Sequence, residues 1–402
     1  MNILHVLGDC KLPRDPDNDG ASGVVNAVLE IARAQVSLGH NVSVAFAGAE
    51  SFRSEWQGVQ LVGLEITPWA RVRVNGKALD FRRHVPYVSL TRQHQFDVAQ
   101  GHLYSYLRFL RAKRRIAHFH SDPFYKGRQN EGLDLKPADF ANIARNSDAQ
   151  VAVSQFIAGE LERGLAGLGN VHVVHNGVDT ARFNPERWQE ARSRLRGAWG
   201  IQPGEVVFLF VGALVSEKGI IHLARAFTRL AAAAPGVHLA LAGASGLWGG
   251  TPARGGSDEY EDELRRTLRA PLEAGRAHLL GKIPSADMPA VYAASDVVVI
   301  PSVCRDAFPL VALEALASAR PVVASSTGGI VETVNDHNGI LTPPGDEAGL
   351  EAALRALAEN STLRERLGDA ARQQAKRFSW QAAAQRLDAI YRGDSVRAKR
   401  VA

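Results

Sequence analysis

The chain has 402 residues, 46% of them hydrophobic and 22% charged, which is enough material for two or three domains with their own cores. No window approaches the roughly 18 apolar residues of a membrane span, and the two cysteines, Cys10 and Cys304, supply neither a disulfide framework nor a zinc spacing. The net charge of +5 excludes little, but residues 71–128 hold thirteen Lys/Arg against three Asp/Glu, a local charge of +10.

The opening, "MNILHVLGDC", reads as a short buried strand followed by polar residues. It lacks the basic region and long apolar stretch of a leader, so the cytoplasm is the expected compartment. "DPDND", Asp15 to Asp19, contains an Asp-x-Asp string like some metal sites. Its polar, proline-containing setting reads as a turn, and no metal is expected. "SGVVNAVLEIARAQVSLG" then reads as a helix ended by Gly39, and "HNVSVAFAG" as the next strand. That is a βαβ unit, and repeated units imply a parallel sheet covered on both faces. "YLRFLRAKRR" is a basic, helix-like run. It suits a solvated helix face, an anionic acceptor or peripheral contact with an acidic membrane. Without a recognition helix or RNA-binding signature, nucleic acid is not expected.

The polar stretch 176–205 separates two strand-rich regions. It sets a first domain at 1–183 and a second at 184–377, with a final amphipathic helix in about 378–402 crossing back to the first. The second half repeats the phrase of the first: "VVFLFVG", then "KGIIHLARAFTRLAAAAPG", then "VHLALAG". Gly23 and Gly48 are 25 positions apart, and Gly219 and Gly243 are 24 apart. The fold class is therefore α/β, with two doubly wound, Rossmann-like domains. "GASGLWGGTPARGGSDEYEDEL", Gly243 to Leu264, reads as a long Gly-rich loop at a strand end, either a lid or an insertion.

"DAFPLVALE", Asp306 to Glu314, brackets a greasy helix with two acids. Pro309 suits the first helical position. The amides of Leu310 and Val311 would then point out of the helix start, where phosphate binds through N–H groups and the macrodipole. Glu314 lies among apolar neighbours and needs donors, which a ribose diol would supply. Asp306, before the helix, would reach sugar hydroxyls. The residues alone leave open an internal salt bridge for Glu314 and a cap or turn role for Asp306.

This segment resembles the signature of the retaining glycosyltransferases of the family-four type, with the GT-B fold (glycosyl transferases group 1). The pattern is acid, seven residues, acid, followed by "EALASARPVV" and "SSTGGIVETV". "SQFIAGELERGL", "VHVVHNGVDTARFNP", "FVGALVSEKGI", "HLLGKIPSADMPAVYAASDVVVIPS" and the closing "FSW" follow in the family's order, so the resemblance covers nearly the whole chain. It implies two domains facing across a cleft, with a nucleotide diphosphate sugar (UDP-, GDP- or ADP-linked) in the second and the acceptor in the first. It assigns Glu314 to the ribose, Asp306 to the donor sugar and Lys218 to the diphosphate. Gly281 to Ile283 would meet the base, with Phe308, Leu310 and Val311 also lining the donor site. Gly23 would approach the diphosphate, and His120 would stand beside the transferred sugar. His118, on the same strand face, and His102 are rivals for that last role. Lys218 alone would suit a surface lysine at a helix start, and Gly23 a helix-start glycine.

Three positions depart from the family pattern. Asp306 stands where Glu is usual, Pro309 where Gly is usual, and Ala213 where an arginine is frequent; Arg305 is a candidate replacement for the missing charge. The implied reaction transfers a sugar with retention and needs neither a cofactor nor a metal. An epimerase of the same fold, a phosphorylase and a non-catalytic nucleotide-sugar sensor are the competing readings. A dehydrogenase is not expected, because "GASG" lacks the G-x-G-x-x-G order and no acid follows at the right place after the next strand.

Overall fold

The computed structural model describes residues 1–8, 11–17, 21–74, 77–102, 104–122, 137–164, 171–244 and 257–394. They form two compact units, Met1–Gly177 with Trp380–Ala402, and Val178–Ser379.

The first unit holds an eight-stranded sheet. Its order is Val171–Val173, Ala149–Ala152, Arg114–Phe119, Val98–Gly101, Asn2–Val6, Asn41–Gly48, Val59–Glu65, Phe52–Trp56. Every neighbouring pair is parallel except the last, a hairpin at the edge. The chain winds outward from Asn2–Val6 in one direction, then returns to Val98–Gly101 and winds the other way. The order therefore reverses between those two strands, and crevices at such a reversal, outside the carboxyl ends, are where ligands bind in open α/β sheets.

Helix Gly23–Ser37 connects the first two strands. Ser22 caps it by accepting a hydrogen bond from the Val25 amide at 3.4 Å. Its apolar stripe, Val25, Val28, Leu29, Ile31 and Ala32, has helical spacing and is buried. Gln35, in the same helix, is fully buried despite being polar. The closing helix Trp380–Arg392 packs on Gly23–Ser37 and buries Trp380, Ala383, Ala384, Leu387, Ile390 and Tyr391.

The second unit has a six-stranded, all-parallel sheet. Its order is Ala277–Gly281, Val237–Ala242, Val206–Val211, Val297–Ile300, Val322–Ser325, Gly339–Thr342. It reverses between Val206–Val211 and Val297–Ile300. These strands are nearly continuous apolar runs, as a sheet covered on both faces requires. Phe208, Phe210, Leu223, Phe227, Leu239 and Leu354 belong to its core. The expected pair of doubly wound halves is thus present, each opening with strand, turn, helix and strand.

Two local expectations need correction. The run "YLRFLRAKRR" is not one helix: it is a 3-10 turn, Tyr104–Phe109, followed by strand Arg114–Phe119. Buried Ile116, Ala117, His118 and Phe119 pull the second half into the sheet. Pro309 is the cap residue, not the first helical one. Its backbone is extended (φ −70°, ψ 127°), and the helix is Leu310–Ala317. Asp15 accepts from the Asp17 amide at 3.2 Å, a turn contact; residues 18–20 lie outside the described residues. So does most of the Gly-rich segment, at 245–256. Its end forms helix Ser257–Thr267.

Candidate functional site

In the second unit, two loops leave the carboxyl ends of the strands at the reversal. The loop after Val206–Val211 makes a 3-10 turn, Ser216–Lys218, closed by Gly219 at φ +64°. A Cβ on Gly219 would lie 1.9 Å from the Pro301 carbonyl oxygen, so only glycine permits this approach. The Val303 and Cys304 amides both donate to the Glu217 carbonyl, at 3.0 and 3.2 Å. The two loops are thereby tied together.

That tie brings Lys218 to Asp306, 88 residues away in sequence. Lys218 Nζ lies 2.5 Å from Asp306 Oδ1 in a largely buried ion pair. Ser302 Oγ donates to the other carboxylate oxygen at 2.6 Å. The Asp306 carbonyl accepts from the Gly329 amide at 2.7 Å, and Gly328, at φ +63°, lies too close to the Asp306 backbone for any side chain. Cys304 Sγ stands 3.7 Å from Asp306 Oδ1. Burial and then the Asp306 charge push its thiol up to about 12, so it stays protonated at neutral pH.

Helix Leu310–Ala317 follows directly. In it Glu314 accepts a hydrogen bond from the Tyr292 hydroxyl at 2.7 Å. Tyr292 is fully buried, edge-on to Phe183. Burial, and then the Glu314 charge, raise its phenol well above the ordinary value, so it remains a donor. This is one of the donors that a carboxylate set among apolar residues needs.

Lys218 and Asp306 are therefore brought together on the two central strand ends, and Leu310, Val311 and Glu314 lie in the helix that follows Asp306. Gly281 ends the strand Ala277–Gly281 at φ +66°, its carbonyl accepting from the Gly243 amide at 2.8 Å, and Ile283 is half-buried beyond it. Phe308 is buried and packs edge-on to Phe378 at 5.7 Å. Ala213 is buried and Arg305 is exposed.

Gly23 and His120 belong to the first unit. Gly23 is the first residue of its helix, with open space around it. His120 directly follows strand Arg114–Phe119 and joins a histidine cluster at the first unit's own strand reversal. His102 Nδ1 lies 2.8 Å from His120 Nε2, and His5 Nδ1 lies 2.9 Å from His102 Nε2. The His118 and His120 rings are 4.2 Å apart. His5, His102 and His118 are buried, whereas His120 is only partly so. Loss of water lowers all four below the ordinary value, His5 to about 4 and His120 to about 3, so all are neutral at pH 7. His102, His118 and His120 each bring one ring nitrogen to within 4.8 Å of the others, a spacing open to a metal ion. One nitrogen of His102 and one of His120 are already engaged with each other.

Sequence reasoning missed Ser302, Tyr292, Gly328, His5, Gln35 and Tyr391. Only the Gly-Gly pair in "SSTGGIVETV" carried a local signal of close backbone approach.

Two family descriptions match the chain: Glycosyltransferase Family 4 over residues 21–182, and Glycosyl transferases group 1 over residues 191–374. A D-inositol 3-phosphate glycosyltransferase of Corynebacterium kroppenstedtii is 34% identical over 57% of the chain and 49% of its own length. A glycogen synthase of Mycobacterium tuberculosis is 33% identical over 62% of the chain and 55% of its own length. The chain thus spans about half the length of these curated relatives. Among solved structures, Anabaena HepE in complex with UDP aligns with a TM-score of 0.75 at 19% identity, over 98% of the chain and 100% of its own. At that identity the likeness establishes the fold, GT-B.

Proposed function

Because the chain belongs to the glycosyltransferases of the family-four type, we propose that it moves a sugar from a nucleoside diphosphate sugar to an acceptor hydroxyl, with retention at the anomeric carbon and without a metal. The observation that carries this reading is the meeting of Lys218 and Asp306 beside the start of helix Leu310–Ala317, with Glu314 inside it. Lysine, helix amides and two carboxylates at the carboxyl ends of central strands suit a ligand with a diphosphate between two polyols. UDP in the Anabaena structure, and UDP-glucose in another of the same protein, make UDP-sugars the first donors to try.

On this reading Glu314 takes the ribose and Gly281 to Ile283 flank the base. Phe308 holds the loop in place by packing. The diphosphate is met by Lys218 and the Leu310 and Val311 amides. When phosphate takes the lysine, Asp306 is released to the hydroxyls of the sugar. The departing diphosphate gains charge as the glycosidic bond breaks, and fixed donors stabilise that charge without reorganising. Its own oxygen accepts the acceptor's proton, so no strong base is needed. In the first unit, His120 offers an imidazole to a sugar hydroxyl.

We extend the reading to the acceptor side of the chain's charge. Trp69, just before the basic region 71–128, is 79% exposed, and Phe109, within it, is 36% exposed. Exposed aromatics among arginines suit an acidic membrane surface or a lipid-linked acceptor. No helix among the described residues is long and apolar enough to cross a membrane.

A thermal-shift screen of UDP-, GDP- and ADP-sugars tests the donor class, since a ligand of the folded state raises its apparent stability. A stabilising nucleotide sugar that is consumed only with an acceptor supports transfer. Conversion of the free nucleotide sugar without acceptor would make the protein an epimerase, and stabilisation without turnover would make it a sensor.

A further inference from the structure

The polar groups behind His120 form one unbroken chain. From His120 it passes through His102 to His5 at the distances given above. His5 Nε2 then lies 2.7 Å from Gln35 Oε1, and Gln35 Nε2 donates to the Tyr391 hydroxyl at 3.0 Å. Tyr391 donates to Gln100 Oε1, and Gln100 Nε2 lies 2.7 Å from His118 Nδ1. Members come from helix Gly23–Ser37, three adjacent strands and the closing helix Trp380–Arg392.

A neutral imidazole has one N–H and one lone pair, so the chain has a direction. Gln35 Oε1 can only accept, so His5 carries its proton on Nε2 and offers a lone pair at Nδ1. His102 Nε2–H must donate to that lone pair, leaving His102 Nδ1 to accept. His120 Nε2–H must then donate to His102. On the other arm Gln100 Nε2 donates to His118 Nδ1, which puts the His118 proton on Nε2, a buried atom with no hydrogen-bond partner among the described residues. Each bond has one donor and one acceptor. A second proton on His5 or His102 would set N–H against N–H.

We infer that this chain fixes His120 as the Nε2–H tautomer, so that its Nδ1 lone pair is the atom presented to the substrate, and that Gln35 and Tyr391 are positioning residues for it. The inference rests on the sugar-transfer reading for its ligand: an acceptor nitrogen at Nδ1 suits a hydroxyl donor of a sugar. Water-excluded surroundings keep the rings neutral, consistent with their lowered pKa values. The partly open position of His120, against its buried neighbours, makes it the outlet of the chain. Tyr391 gives the closing helix a role beyond covering apolar surface, because its hydroxyl joins the two arms.

The test is long-range proton–nitrogen NMR of the full chain with 15N-labelled histidine, at pH 7 and without ligand. His5, His102, His118 and His120 should all report a proton on Nε2. A proton on Nδ1 of His120 would overturn the inference. Tyr391→Phe removes one oxygen and should leave His120 as a mixture of tautomers. Its kcat should fall about tenfold, with KM for the nucleotide sugar and affinity for free nucleotide unchanged. Gln35→Leu should do the same, and if it fails to fold, Tyr391→Phe carries the test alone. An unchanged His120 signal with unchanged kcat in Tyr391→Phe would sink the proposal. So would added Zn2+ shifting His102, His118 and His120 together, which would mark a metal site. Because the tautomer readout needs no turnover, absence of sugar transfer would count against the function and not against this inference.

Discussion

Acidification from pH 7 to pH 5 is predicted to destabilise the first unit far more than the second. His5, His102 and His118 are almost completely buried in it. Burial holds His5 at about 4, and the other two well below 6.5. In the unfolded chain each ring binds a proton near pH 6.5; in the fold His5 stays neutral to about pH 4, and His102 and His118 also stay neutral well below 6.5. Unfolding therefore takes up protons between those values. The stabilisation is complete above pH 6.5 and is lost as the pH falls. At pH 5 His5 alone accounts for a loss of about 2 kcal/mol, from about 1.36 kcal/mol per pH unit below the unfolded value. His102 and His118 add to that loss in the same direction, against a typical total of about 5–15 kcal/mol. Carboxylates held low by partners, such as Asp97 beside Lys113, lose stabilisation only below the ordinary carboxylate range, so this window isolates the imidazoles. Native-state hydrogen exchange reads each unit separately. After correction for intrinsic rates, protection in Asn2–Val6 and Arg114–Phe119 should fall by more than one order of magnitude, following the roughly 2 kcal/mol of His5 alone. Val206–Val211 and Val297–Ile300 should lose far less, the lowered His278 being the contributor there. Equal protection of the first pair at both pH values would refute the reasoning, because rings that protonate normally in the fold impose no such slope.

Other outcomes follow from single contacts. Gly219→Ala sets a Cβ against the Pro301 carbonyl and strains a left-handed residue; it should cost at least about 2 kcal/mol, read as a Tm drop of several degrees. Tyr292→Phe strips a donor from the Glu314 carboxylate and should cost about 1–3 kcal/mol in urea denaturation. Lys218→Met should weaken UDP binding at least tenfold by calorimetry; unchanged affinity would remove the lysine from the diphosphate. Binding to vesicles of anionic lipid should fall as salt is raised, and indifference to salt would leave the basic region as a solvated face.

The fold was legible because its signals are local. Apolar runs of strand length alternate with helical stripes such as Val25, Val28, Leu29 and Ile31–Ala32, and "DAFPLVALE" announces its own helix. The second unit's candidate site was partly legible for the same reason, since Asp306 and Glu314 bracket the start of one short helix. The misread stretch shows the limit. In "YLRFLRAKRR" leucines at helical spacing precede a buried strand, and sheet pairing with Val98–Gly101 and Ala149–Ala152 overrides the local pattern. The histidine chain was illegible in principle: Gln35 meets Tyr391 across 356 residues and Tyr391 meets Gln100 across 291.

Those distances also say something about how the chain is built. A closing helix needs only an apolar stripe to dock, and Trp380, Leu387 and Ile390 provide one. A buried tyrosine hydroxyl and a buried glutamine amide add nothing to that stripe unless every partner is in place, because each polar group left unmatched costs about 1–3 kcal/mol. Gln35, Tyr391 and Gln100 satisfy one another only when the helix arrives in one register along Gly23–Ser37. The same contacts that fix this register orient the imidazoles. Seating of the last helix and the state of His120 are thus one event, and truncation before Trp380 should disorder the tautomers as well as destabilise the first unit.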